Sequence, residues 1–391
     1  MTAGRTARFV ALGGAALLVA TVVAIALPAL DGGVVDESAV PPAPADSSPG
    51  DGTSPAAVDP ADACIAGWEP RRRVGQLVAI AVDGGALEAE AQRVADLGLG
   101  GVLLQRPEAG GLADGIAALK ATSAIPPLVM ADEEGGEVQT LGPVLGSLPA
   151  PARMVDAYDP AAATDLLTRH AESVAGLGVD VVLGPVVDVA PPDGGGPLGG
   201  RVFSEDPAQV IEYARAYVDA YAAVGITSVL KHFPGHGAAS GDSHDGPVST
   251  PPADQLRARD LLPYEALLPD VDAVMVGHLV VPDLTGLAPA SQSAEAVDGL
   301  LRGEYGFDRL VVTDSLSMGA IAFRTPPTDA AVQAVAAGAD LALFVTIDDP
   351  AAVVDALVAA TEDGRLDEDR VTAAVRRVLD QKGIDPCAVP A

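Results

Sequence analysis

The chain has 391 residues and a formal charge of −31, with hydrophobic residues at 49% and aromatic residues at only 3%. That length is enough to bury one large core, which must be built from aliphatic side chains. The acidic balance argues against a nucleic-acid partner, because phosphates are gripped by Lys and Arg.

Residues 1–30 place Arg5 and Arg8 ahead of an apolar run from Phe9 to about Leu30, interrupted by Pro28. A basic flank before such a run reads as an export signal or an uncleaved membrane anchor. The run approaches the roughly 20 residues needed to span a bilayer. The protein is therefore expected to be exported, either secreted or tethered to the cytoplasmic membrane. Residues 31–62 are mostly Pro, Ala, Ser, Gly and Asp, with little large apolar content. Such a stretch buries too little to offset its ordering entropy and is expected to be a flexible linker. Residues 63–391 then form the folded domain. Its ends carry Cys64 and Cys387, the two cysteines of the chain. In an oxidising compartment these read as a disulfide; two free or buried thiols are the alternative.

Beyond the linker, short aliphatic runs alternate with longer Ala-rich stretches, the pattern of βα units around a parallel sheet. Strands are expected at 77–82, 100–104, 127–130, 179–183, 227–230, 273–276, 310–313 and 341–345. Helices are expected at 161–175, 207–223, 254–267 and 327–337. A last helix, 367–381, should pack outside the sheet and bring Cys387 back toward Cys64. Eight such strands predict an α/β fold, a single (β/α)8 TIM-type barrel rather than a doubly wound sheet.

Barrel enzymes carry their chemistry at the C-terminal ends of the strands. Scarce polar residues gather at those positions. Asp132-Glu133-Glu134-Gly135-Gly136 follows the third strand, Asp188 the fourth, Lys231-His232 the fifth and His278 the sixth, and Asp314 ends the seventh. The acidic run offers carboxylates to sugar hydroxyls, or is an exposed acidic turn. Arg201 either binds a ligand oxygen or pairs with a neighbouring carboxylate.

The segment Lys231-His232-Phe233-Pro234-Gly235-His236-Gly237, with Asp242-Ser243-His244 close behind, makes a glycine-rich loop able to fold over a pocket. A carboxylate two residues before an imidazole fixes its tautomer and supports its cationic form. His244 with Asp242 is thus a candidate general acid/base, against the alternative of a solvated surface loop. A metal site of His232, His236, Asp242 and His244 is a lesser alternative. Its spacing does not match a helix-borne pair, and the Lys231 ammonium would repel a cation. Asp314 either presents a nucleophilic carboxylate to the barrel mouth or caps the following turn.

Together these pieces, in this order, resemble the bacterial β-N-acetylhexosaminidases of glycoside hydrolase family 3, the NagZ-like branch. The resemblance implies a retaining double displacement without cofactor or metal. It assigns Asp314 as nucleophile, His244 as acid/base and Asp242 as its partner. Asp132, Arg201, Lys231 and His232 would hold the terminal GlcNAc of a peptidoglycan-derived fragment, and a monomer is expected. Two positions depart from the family pattern: Glu133 stands where Gln is usual, and Thr140 where an Arg contacts substrate. Losing that Arg should weaken or retune binding by about 1–3 kcal/mol if its hydrogen bonds are not replaced. A β-N-acetylglucosaminide phosphorylase, a β-glucosidase and a non-catalytic wall-binding protein remain as alternatives.

Overall fold

The computed structural model describes residues 59–389; the export segment and nearly all of the linker expected above lie outside the described residues. Eight parallel strands line up as β1 (Val78–Asp83), β2 (Gly101–Gln105), β3 (Leu128–Ala131), β4 (Val181–Val182), β5 (Thr227–Phe233), β6 (Ala273–Val276), β7 (Leu310–Thr313) and β8 (Ala342–Phe344). Each of β1 to β7 pairs with its neighbour in chain order, and β8 returns to β1 through Val78↔Ala342. A bridge between Val312 and Leu341 joins β7 to the start of β8, closing the ring. The expected TIM-type barrel is what forms.

Alternation along each strand builds two cores. Ala79, Leu103, Met130, Val229, Met275 and Leu343 fill the barrel interior. Ile80, Val102, Val129, Leu230, Val274 and Val311 face outward and pack beneath the helices. Asp159 and Asp206 cap the helices Pro160–Ala175 and Pro207–Ala222 by accepting the Ala162 and Ala208 N–H groups. Pro follows each cap, at the position where a missing N–H costs nothing.

Two of the expected helices differ. The helix expected at 254–267 is two helices, Ala253–Ala258 and Leu262–Leu267. Pro263 has no N–H to offer the Arg259 carbonyl and disfavours the α conformation before it, so one helix cannot run through. The last helix, Glu368–Gln381, does more than pack outside the sheet. Val378 joins the interior cluster, and Gln381 Nε2 donates to Thr227 Oγ1 at the start of β5, 2.6 Å away. This helix closes the barrel at the end opposite the strand C-termini.

The described fold begins with Asp59, whose side chain caps the helix Pro60–Ala66 within the stretch read above as linker. Cys64 on that helix forms a disulfide with Cys387, which follows the last helix. The bridge closes a loop of 323 residues. In the chain-entropy picture a loop this long restrains the unfolded state by on the order of 5 kcal/mol. Cys64→Ser should therefore lower the thermal midpoint markedly, while leaving room-temperature turnover near that of the parent. A scanning-calorimetry midpoint equal to the parent's would show that the bridge contributes no stability.

Candidate active site

A cavity of about 360 Å³ opens at the C-terminal ends of the strands, lined by Asp132, Glu134, Arg201, Lys231, His232, His244 and Asp314. Val138, Met275 and Met318 supply apolar wall. Every residue expected to contact the sugar lines it, together with the expected nucleophile and acid/base; Asp242 stands behind His244.

Lys231 and His232 are adjacent in sequence, yet both reach the cavity. Leu230 of β5 opposes Val274, but Phe233 opposes Val276, so β5 carries one extra residue. Such a bulge re-aims side chains that strict alternation would separate. It also carries β5 past residue 230, where the strand was expected to end.

Lys231 Nζ lies 2.9 Å from Asp132 Oδ1 and 2.6 Å from Glu134 Oε1. Arg201 grips the same Glu134 in a fork, Nε to Oε2 and Nη2 to Oε1, both at 2.8 Å. Arg201 therefore does both things expected of it, pairing with a carboxylate and lining the cavity. Burial pushes the Glu134 carboxyl up, but Lys231 and Arg201 outweigh it and hold it at about 2. Burial lowers Lys231, but Asp132 and Glu134 outweigh it and raise it above its ordinary value. The pair of cations is thus fixed in the charged state beside the ligand space.

This arrangement has a pH signature. A carboxyl at about 2 when folded and near its ordinary 4.5 when unfolded stabilises the fold fully above 4.5. That contribution is lost as pH falls from 4.5 toward 2. Glu134→Gln should be less stable than the parent at neutral pH and should lose less stability across that window. Urea unfolding at several pH values would reveal it; parallel curves would remove Glu134 from the linkage.

The acidic run does not offer three carboxylates to a ligand. Glu133 is buried and turned away: it accepts from the Leu141 N–H at 2.6 Å and meets His170 Nε2 at 2.8 Å. It pins the segment after β3 onto the helix Pro160–Ala175. Thr140 donates its N–H to the Asp132 carbonyl at 2.7 Å, and Val138 supplies that segment's contact with the cavity.

Asp188 and His278 also stay behind the cavity wall. Asp188 is fully buried and takes His232 Nδ1 at 2.7 Å and the His236 N–H at 2.6 Å. It fixes the His232 ring through Nδ1, leaving Nε2 as the nitrogen outside that bond. His278 Nε2 meets the Ser315 carbonyl at 2.8 Å, and its Nδ1 meets Ser291 Oγ at 2.8 Å. A carbonyl only accepts, so Nε2 carries the proton, and burial lowers the ring's affinity for a second one. His278 therefore holds the turn after β7 in place.

That turn presents Asp314. Its Oδ1 accepts the Ser315 N–H at 2.7 Å, so the carboxylate does cap its own turn, with one oxygen. Burial raises this carboxyl, but its neighbours His232 and His278, the Ser315 N–H and Lys231 together bring it down to about 2. Asp314 is ionised at any physiological pH. At the rim, His244 Nδ1 meets Asp242 Oδ1 at 2.7 Å, and the same oxygen takes the His244 N–H at 2.9 Å. Burial raises the Asp242 carboxyl less than these bonds lower it. The His244 side chain is 58% exposed, accessible to solvent and to anything entering the cavity.

Of the four residues weighed as metal ligands, Asp242 and His244 pair with each other, His232 with Asp188 and His236 with Ser243, and among the described residues no three His, Cys, Asp or Glu side chains converge as a metal-binding group. Glu134 is the site residue that sequence reasoning passed over. On an extended segment Asp132 and Glu134 share one face and Glu133 takes the other, a signal that the period of two carries.

The sequence profile of the glycosyl hydrolase family 3 N-terminal domain matches residues 70–381. The chain belongs to glycosyl hydrolase family 3. A relative named β-hexosaminidase LpqI, from Mycobacterium tuberculosis, is 39% identical over 326 residues, covering 81% of this chain and 84% of its own. Among solved structures, a family 3 glycosyl hydrolase from Mycobacterium smegmatis superposes with a TM-score of 0.76 at 39% identity, over 81% of this chain and 98% of that one. A family 3 β-N-acetylglucosaminidase from Paenibacillus superposes with a TM-score of 0.77 at 32% identity, over 83% of this chain and 64% of that one. As a family 3 member this protein is an enzyme that hydrolyses glycosides.

Proposed function

We propose that this enzyme is a retaining β-N-acetylhexosaminidase that removes β-linked GlcNAc from peptidoglycan-derived fragments outside the cytoplasmic membrane. One observation carries the reading: Asp314 at the cavity and a His244–Asp242 dyad at its rim, within a family 3 barrel. The Asp314 carboxylate attacks the anomeric carbon as the glycosidic C–O bond breaks. His244 gives its proton to the departing oxygen. A water then loses a proton to His244 and attacks the same carbon, releasing the sugar and regenerating the carboxylate. Asp242 supports the imidazolium form, which acts in the first step and is regenerated in the second. Asp132, Arg201, Lys231 and His232 hold the terminal sugar, with Glu134 setting the two cations.

The names of the similar enzymes support the choice of an N-acetylhexosamine. The basic and apolar residues 1–30, read as export signal or anchor, and the disulfide support an oxidising, extracytoplasmic setting. Hydrolysis of 4-nitrophenyl β-GlcNAc beside the matching β-glucoside tests the reading. Strong preference for the GlcNAc compound supports it; preference for the glucoside, or a rate that requires phosphate, sinks it.

A further inference from the structure

β6 and β7 stay in register from Leu310↔Ala273 to Thr313↔Val276, whereas β7 and β8 share one bridge, Val312 to Leu341. Past that bridge the Leu316 N–H donates to the Leu343 carbonyl at 2.8 Å. The N–H groups of β8 still need acceptors. Three hydroxyls supply them. Thr313 Oγ1 accepts the Leu343 N–H at 3.0 Å, Ser315 Oγ the Val345 N–H at 2.9 Å and Ser317 Oγ the Thr346 N–H at 3.0 Å. Ser315 Oγ and Ser317 Oγ also meet each other at 2.7 Å. Residues 313, 315 and 317 thus form rungs to β8, and Asp314 stands between the first two.

Ser315 has the most ties of the three. It is buried, its N–H holds Asp314 Oδ1 at 2.7 Å, and its carbonyl meets His278 Nε2 at 2.8 Å. Its hydroxyl is the tie that reaches β8. The N–H orients the carboxylate within the turn, and the hydroxyl holds the turn against the barrel. Ser315, Ser317, Leu343, Val345 and Thr346 all line the cavity with Asp314, so slack here shifts the carboxylate within the ligand space. Attack on a bound carbon tolerates little slack, since a misplacement of about 1 Å can cost about a hundredfold in rate. We propose that Ser315 is a positioning residue for the nucleophile, holding the Asp314 carboxylate in place by tying the turn after β7 to the end of β8. Ser317 braces that tie. The proposal rests on Asp314 as the nucleophile. Ser315 itself moves no proton and forms no bond to the sugar.

Ser315→Ala removes the hydroxyl and keeps the N–H and carbonyl that serve Asp314 and His278. The test is single-turnover release of dinitrophenolate from 2,4-dinitrophenyl β-GlcNAc, with the full chain in excess. This leaving group departs without an acid, so the rate constant at saturating enzyme reads the attack of the carboxylate. Ser315→Ala should lower that plateau by about 10- to 100-fold, while the enzyme concentration at half-saturation changes by less than about threefold. Ser317→Ala should lower the plateau less, by about threefold to tenfold. A merely structural role would lower the thermal midpoint and the active fraction, and the plateau would stay at the parental value. A parental plateau in Ser315→Ala overturns the proposal and leaves the hexosaminidase reading standing. Should Ser315→Ala not fold, Ser317→Ala decides alone, and a parental plateau there overturns the proposal. A parent enzyme that releases no dinitrophenolate removes the hexosaminidase reading, and the proposal with it.

Discussion

Asp314→Ala is expected to abolish turnover of β-GlcNAc glycosides, with kcat falling by on the order of 10⁴-fold or more, as losing a covalent nucleophile does elsewhere. The fold should survive. The side chain makes one hydrogen bond, to the Ser315 N–H, while His278 grips the same turn through the Ser315 carbonyl. Circular dichroism should therefore change little. A sharper readout is chemical rescue. With the carboxylate removed, added azide can attack from the vacated face, opposite the leaving group, and give the α-glycosyl azide. That product, formed by the variant and not by the parent, would place Asp314 at the anomeric carbon. A variant retaining even a tenth of parental activity would exclude it as nucleophile.

His244→Ala should produce a loss that depends on what departs. For a disaccharide the leaving alkoxide needs its proton, and removing a positioned acid costs about 10²- to 10⁴-fold. For a dinitrophenyl glycoside the leaving group departs unaided, so formation of the covalent intermediate should be nearly unaffected. Later hydrolysis of that intermediate still needs a base, so a pre-steady-state burst followed by a slow phase is expected. Asp242→Asn should fall between the parent and His244→Ala, because the ring remains but its charged form loses the partner 2.7 Å away. Equal losses on both substrate types would mean that His244 only shapes the loop.

Where the sequence was easy to read, one force acted alone. Strands buried on both faces need continuous aliphatic runs, and 273–276 and 310–313 were found to the residue. Lys231 and His232 looked like the start of a loop because charge seldom continues a core strand. They continue β5 because a bulge and two carboxylates make their burial tolerable. The acidic run concealed a division of labour: Glu133 serves the scaffold through His170, and Glu134 serves the cavity through Arg201 and Lys231. Asp188 and His278 were correctly placed at strand ends, yet they act one layer behind the cavity. Which side of a strand end a side chain leaves by depends on partners far away in sequence, such as Ser291 for His278. The splitting of 254–267 was legible in Pro263 alone.

The disulfide also decides how this enzyme can be held. Arg376 of the last helix pairs with Asp59 and Asp62, so the polypeptide enters the described fold at the closed end of the barrel. Anything pulling on the preceding residues draws on the helix Pro60–Ala66, and the Cys64–Cys387 bond passes that tension across to the C-terminal segment. Strands β1 to β8 lie outside that line of force. A pull on the helix Pro60–Ala66 is therefore borne by the bridge rather than by the strand ends that carry Lys231 and Asp314.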